Sequence, residues 1–266
     1  MSTTSIVTEH PAWHETPEGV VRVVEHNGVA WVAHWQGDAL LLRSVGTTDV
    51  ELPPVAYVSP INLPHHTEAQ PLVRELARLG TVQRLTNPSL WDAITTALLR
   101  QVVRARTAKE RHRAYYAAYG RSVETIAGPL ALAPTPETVL ALNDEQFATI
   151  GAAFNRTALR SAARAYLDRG EHWSTLDADR LVKELVEVPY IGPWTAAAAT
   201  ADYTGDHAVY PHGDLAVRTW AGRAAPSLQL PSRENEFAAM WRRWAPNRSA
   251  LHTLTLLTLA YGSHTP

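Results

Sequence analysis

The stretch "EVPYIGPWTAAAA", residues 187–199, followed by "VYPHGD", residues 209–214, decides how this chain reads. A helical run, "DADRLVKELVEV", is broken by Pro-Tyr-Ile-Gly-Pro, and a second helical run, "TAAAATADY", follows at once. A helix needs no such turn to be stable. A turn that leads into a helix start presents unpaired N–H groups and the positive end of the helix dipole, which together favour an anion such as a phosphate. That kind of contact reads backbone shape rather than base sequence. A helix-turn-helix reader of the major groove is the other local reading. Its turn usually lacks two prolines, and "TAAAATADY" is too apolar for a recognition helix.

Upstream of the hairpin the chain is helical as far back as Asn87. "NPSLWDAITTALLRQVV" reads as a helix with Asn87 as N-cap and Pro88 in its first turn, and Leu90, Trp91, Ile94 and Leu98 recur at helical spacing. "TAKERHRAYYAAYG" closes on Gly120, "TPETVLAL" and "NDEQFATIG" each open on a capping residue, and "NRTALRSAARAYLDRG" ends at Gly170. Downstream, "DLAVRTWAGRAA", "RENEFAAMWRRWA" and "RSALHTLTLLTLAYG" are further helices. The first 85 residues differ in character. "GVVRVVEHNGVAWVAHWQGDALLLR" contains Asn-Gly, whose tolerance of positive φ marks a β-hairpin, so two or three antiparallel strands are expected here. "DVELPPVAYVSP" adds another strand, and "EAQPLVRELARLG" a short helix closed by Gly80. The division expected from this pattern is an α+β domain over 1–85 and a helical region over 86–266, with the hairpin at about 181–200.

The chain has 266 residues, 45% of them hydrophobic, enough for a sizeable core. It has no cysteine, which excludes disulfides, thiol nucleophiles, zinc–thiolate sites and iron–sulfur clusters. There is no apolar run of about 18 residues, and the first residues lack the pattern of a signal peptide. A cytoplasmic protein with no membrane partner is expected. Net charge is -2, but residues 91–170 carry 11 Lys+Arg against 7 Asp+Glu. This locally basic segment is where a phosphate backbone would be met, unless its arginines only solvate helix faces. The doublet His65-His66 lacks metal-ligand spacing.

These motifs together resemble the helix–hairpin–helix (HhH-GPD) DNA glycosylases, in particular the AlkA-like 3-methyladenine branch. Pro189, Ile191 and Gly192 fit the family's Leu-Pro-Gly-Ile/Val-Gly hairpin, and Pro211, Gly213 and Asp214 fit the Pro-x-Gly-Asp that follows it. "NPSLWDAITTALLRQVV", "FNRTALRSAARAYLDRG" and "WAPNRSALHTL" resemble three further family segments in the same order, so the likeness covers about residues 86–262. The resemblance implies a mostly α fold of two helical lobes with a small N-terminal α+β domain. It departs from the family at Tyr190, which stands at the hairpin's first glycine. Trp194 stands where bifunctional members carry a catalytic lysine, and Ala198 and Leu256 stand at two aromatic pocket positions.

The resemblance also assigns roles. Asp214, which on its own reads as the N-cap of "LAVRTW", becomes the catalytic carboxylate that stabilises positive charge on the sugar or orients a water. Trp194 becomes a wall of the base pocket, its face attractive to a cationic purine. Gln101 and Val102 fill the gap left by an extruded base. Tyr190, Ile191, Gly192 and Thr195 meet phosphate at the hairpin, and Arg100, Arg104 and Arg106 hold phosphates nearby. His212 is either a water-polarising neighbour of Asp214 or a loop residue. The implied function is that of a monomeric, monofunctional enzyme of base excision repair, which flips an alkylated purine out of double-stranded DNA and hydrolyses its glycosidic bond. No cofactor is required, and a monovalent cation on the hairpin carbonyls is left open. The alternatives are a non-catalytic DNA-binding protein that keeps only the hairpin, and a glycosylase for a different class of lesion.

Overall fold

The computed structural model describes residues 4–6, 10–37, 39–46 and 49–264. In chain order the strands and helices are β1 (Thr4–Ile6), β2 (His14–Thr16), β3 (Gly19–His26), β4 (Val29–Gln36), β5 (Ala39–Ser44), β6 (Val55–Val58), α1 (Gln70–Ala77), β7 (Thr81–Leu85), α2 (Leu90–Leu99) and α3 (Ala105–Tyr119). There follow β8 (Ser122–Thr125), β9 (Gly128–Ala131), α4 (Pro136–Ala141), α5 (Asp144–Thr149), α6 (Arg156–Ser174), α7 (Ala178–Val186), α8 (Pro193–Thr204), α9 (Leu215–Ala224), α10 (Glu234–Trp244) and α11 (Arg248–His264). The fold is mostly α with small sheets. Among the described residues, no helix is long and apolar enough to cross a membrane.

The boundary expected at residue 85 is not where the chain divides. One compact unit joins β1, the segment Val55–Leu85 and the chain from Gly205 onward; the other joins His10–Pro54 to Thr86–Thr204. The reason is strand pairing. β7 pairs in parallel with β1 and antiparallel with β6, which gives a three-stranded sheet in the first unit. β2–β5 form a separate four-stranded meander in the second. Asn27 and Gly28 both take positive φ in the two-residue turn between β3 and β4, as their types allow. The meander's apolar face, with Val21, Val23, Ala30 and Val32, shares a core with Val123, Leu130 and Leu132 of the β8–β9 hairpin.

Two helix ends differ from the sequence pattern. α2 is capped by Ser89, whose hydroxyl accepts from the Asp92 N–H, and not by Asn87. Asn87 instead donates to Asp92 and to Asp202 on α8. α6 runs through Gly170, which is buried where a Cβ would lie 3.1 Å from the Tyr166 ring, and ends only at Ser174. A small residue is needed there for packing, not to end a helix.

α2 is buried at every one of its positions, including Asp92. Asp92 accepts from Arg22 Nη2 on β3 at 3.2 Å, from Asn87 Nδ2 at 3.0 Å, and from the Tyr116 hydroxyl on α3. Arg22 is 1% exposed, so this is a buried ion pair with hydrogen-bond support.

His112 stacks on Tyr116 with ring centroids 3.8 Å apart, and neither of its ring nitrogens has a protein partner. Burial, with His10 and Arg22 nearby, holds His112 well below the usual histidine range. Burial and neighbouring Arg113 push His14 down to about 4. The neutral imidazoles are therefore the native ones, and protonation favours the unfolded chain. Stability should be flat above pH about 6.5 and fall as pH drops from there toward 4. His112→Phe should keep stability at pH 7 and reduce that loss, read as the urea midpoint at pH 7 and pH 5. An unchanged acid slope in the variant would show that His112 plays no part in it.

Candidate DNA-binding and base-excision site

The hairpin is built by ordinary rules up to its tip. Asp177 caps α7 by accepting from the Arg180 N–H at 2.9 Å. Leu181, Leu185 and Val188 are buried, and the Val188 N–H donates to the Leu185 carbonyl. The Ile191 N–H then closes the turn on the Val188 carbonyl at 3.0 Å. Between them Tyr190 takes φ 73°. The glycine of the family pattern is gone, but the left-handed turn is kept. Gly192 accepts the first helical bond from the Ala196 N–H, and Pro193 opens α8. α8 is rich in alanine, so it lies close against α2 and α7.

The four hairpin residues singled out in the sequence fall into different environments. Ile191 is 3% exposed and its N–H is used inside the turn, so it anchors the hairpin. Thr195 is buried, and its hydroxyl accepts from Gln101 Nε2 at 2.7 Å. Both side chains are therefore engaged within the protein. Tyr190 is exposed. Gly192 has open space where a Cβ would stand, and its φ lies outside the left-handed region.

Gln101 ties the end of α2 to the hairpin. Besides Thr195, its Nε2 donates to the Tyr190 carbonyl at 3.2 Å. The next residue, Val102, is 90% exposed and takes φ 56°. A β-branched residue in the left-handed region costs roughly 1–2 kcal/mol. Gln101, Val102, Val188, Tyr190, Gly192 and Trp194 line one groove of about 650 Å³. No single signal in the sequence showed that glutamine and hairpin touch.

Trp194 is half-buried, and the guanidinium of Arg100 lies over its ring, 5.7 Å from the centroid. Arg100 thus faces an indole. Arg104 is exposed at the head of α3, and Arg106 pairs with Glu110 at 2.9 Å. Other arginines of the basic segment are engaged within the protein: Arg111 with Asn155, Arg113 with the Pro11 and Trp13 carbonyls, and Arg156 and Arg160 with Asp144. Much of the positive charge read from the sequence is therefore structural.

Asp214 belongs to the other compact unit, and it is described within that unit. It stands at the head of α9, but its carboxylate makes no capping bond. Instead Oδ2 accepts from the Tyr210 hydroxyl at 3.1 Å. Gly213 explains the approach: a Cβ there would lie 2.9 Å from the Glu234 carbonyl oxygen, so only glycine lets the loop pass α10. His212 is buried, its Nε2 bonds the Ala208 carbonyl, and burial with Arg242 nearby pushes it down to about 4. It is a neutral loop residue at physiological pH. Ala198 and Leu256 are buried, 5% and 1% exposed. Among the described residues no three His, Asp or Glu side chains converge to hold a metal ion.

No protein-family model matches the chain. Over 161 residues it is 31% identical to a probable bifunctional transcriptional activator/DNA repair enzyme AlkA of Mycobacterium tuberculosis, a match that takes in 58% of this chain and 30% of the relative. The chain thus spans about 30% of the length of the curated relatives it matches. Among solved structures, a 3-methyladenine DNA-glycosylase from Archaeoglobus fulgidus superposes with TM-score 0.71 at 18% identity, over 97% of this chain and 92% of that one. An 8-oxoguanine glycosylase/lyase from Clostridium acetobutylicum, in complex with DNA, superposes with TM-score 0.68 at 12% identity, over 97% and 90%. The fold of this chain is that of these glycosylases.

Proposed function

We propose, for a chain with the helix–hairpin–helix glycosylase fold, that it is a monofunctional DNA glycosylase of base excision repair that removes alkylated, cationic purines from duplex DNA. The observation that carries this reading is Val102, an exposed apolar residue held at φ 56° beside the hairpin. A protein that only grips DNA needs no such residue. One that extrudes a base needs an apolar wedge in the gap. Gly192 supports the same reading, because nothing within the protein demands glycine there, whereas the open space lets a phosphate approach the backbone. For this function we infer a cytoplasmic location.

The chemistry follows from the substrate's charge. The C1′–N bond breaks with its electron pair going to the base, which leaves neutral, so no general acid is required. Positive charge on the sugar is stabilised by Asp214. A water adds to C1′, and its proton passes to that carboxylate. Trp194 stands where a lyase would carry its amine, and the two lysines of the chain, Lys109 and Lys183, lie on α3 and α7. An intact abasic site is the product, and borohydride should trap no protein–DNA adduct. The hairpin carbonyls of Val188, Tyr190 and Gly192 already accept hydrogen bonds, and no step here uses a cation on them.

Trp194 sharpens the substrate. A base that stacks on the face covered by Arg100 displaces that guanidinium. A cationic purine replaces the lost cation–π contact, and a neutral one does not. That difference of about 0.5–2 kcal/mol corresponds to roughly 2- to 30-fold in selectivity. The test is single-turnover release of 7-methylguanine and hypoxanthine from otherwise identical duplexes. The wild type should favour 7-methylguanine, and Trp194→Ala should lower the ratio by that factor. Faster release of hypoxanthine by the wild type would refute the cationic substrate.

A further inference from the structure

Among the described residues four non-glycines take positive φ: Asn27, Asp49, Val102 and Tyr190. The first two are of the types that tolerate it. The other two do not, and both sit on one groove, joined through Gln101, which precedes Val102 in the chain and bonds the Tyr190 carbonyl. At Tyr190 the strain is avoidable. Glycine would make the same turn at no steric cost. Nor is the strain offset inside the protein: Tyr190 is 63% exposed, and among the described residues its ring packs on no other ring and its hydroxyl has no partner. Strain of this kind persists where a residue serves a site.

We propose that the Tyr190 ring is a second finger of the DNA-binding surface, one that stacks on the base next to the gap opened by Val102. Every base offers a π-face, so the contact needs no sequence preference. It adds a salt-independent grip to a hairpin that otherwise meets only the backbone. The arrangement rests on the DNA-binding reading given above, because the groove is filled by nucleic acid.

The experiment compares wild type, Tyr190→Gly and Tyr190→Phe. Each is measured for thermal midpoint and for affinity to a duplex with a tetrahydrofuran abasic analogue flanked by 2-aminopurine. Tyr190→Gly should unfold at the same or a higher temperature, because the left-handed strain is gone, and should bind roughly 5- to 100-fold more weakly. Tyr190→Phe should bind as the wild type does. Aminopurine fluorescence should be quenched by wild type and Tyr190→Phe and much less by Tyr190→Gly. Undiminished binding by a folded Tyr190→Gly would overturn the finger while leaving the glycosylase reading intact. Equal loss in Tyr190→Phe would overturn it in favour of a hydroxyl–phosphate bond. Failure of the wild type to bind any duplex would overturn both.

Discussion

Asp214→Asn should slow single-turnover base release by at least about 100-fold, with DNA binding and folding close to wild type. The reason lies in what the carboxylate does not do. An aspartate that heads a helix normally caps it, and removing its charge then weakens the helix. Here the side chain makes no capping bond, and α9 is held through its backbone, with the Arg218 N–H on the Asp214 carbonyl at 3.1 Å. Asparagine keeps an oxygen to accept from Tyr210 and keeps the volume beside Gly213. What it removes is the anion that the proposed reaction sets against the charge developing on the sugar. The measurement needs two readings on one preparation: the rate constant for release of 7-methylguanine, and affinity for an abasic-analogue duplex. A drop in both together would point to a misfolded loop. A wild-type rate would sink the catalytic assignment.

What the sequence disclosed, and what it hid, follows the range of each interaction. The Pro189–Pro193 turn, the Thr135 and Asn143 caps and the Asn27-Gly28 hairpin are set by neighbouring residues, and all were legible. The β8–β9 hairpin was not, because "ETIAGP" lacks a paired-turn dipeptide and the turn relies on Gly128 at φ 83°. Gln101 could be aligned with the family's glutamine. That it would hold Thr195, 94 residues away, is a matter of packing between α2 and α8. The same holds for Arg100 on Trp194. Charge counting misled for a related reason: most arginines of the basic segment reach carboxylates or carbonyls that the linear sequence does not place beside them. Val102 shows the limit most plainly. "QVVRAR" gives no sign that one of its two valines is twisted into the left-handed region and left in solvent.

Asp92→Ala should destabilise the protein by about 3–5 kcal/mol. Its carboxylate is the common acceptor for Arg22, Asn87 and Tyr116, from β3, the start of α2 and α3. Truncation removes the carboxylate from the Arg22 guanidinium, which is 1% exposed; the next group in reach, His10 at 3.4 Å, is pushed below the usual histidine range by burial and by Arg22, and the Asp202 carboxylate lies behind it, 3.5 Å from His10. Burial and the nearby Asp92 charge push the Tyr116 hydroxyl well above the usual tyrosine range, so it stays a donor and loses its carboxylate acceptor, with Thr96 Oγ1 at 3.3 Å left in reach. The cost is that of stranded partners and not the net worth of the pair, which a double-mutant cycle separates. Arg22→Met in the Asp92→Leu background should recover most of the loss, because an apolar pair of similar volume strands nothing. Urea unfolding at pH 7 of the wild type, Arg22→Met, Asp92→Leu and the double variant gives the cycle, and Asp92→Ala is measured beside them. A loss below about 1 kcal/mol for Asp92→Ala would mean that water reaches the site and screens the charge. If the large loss is found, excision by Asp92 variants should fall with the folded fraction and leave the lesion preference unchanged, because α2 delivers Gln101 and Val102 to the hairpin and touches no substrate through Asp92.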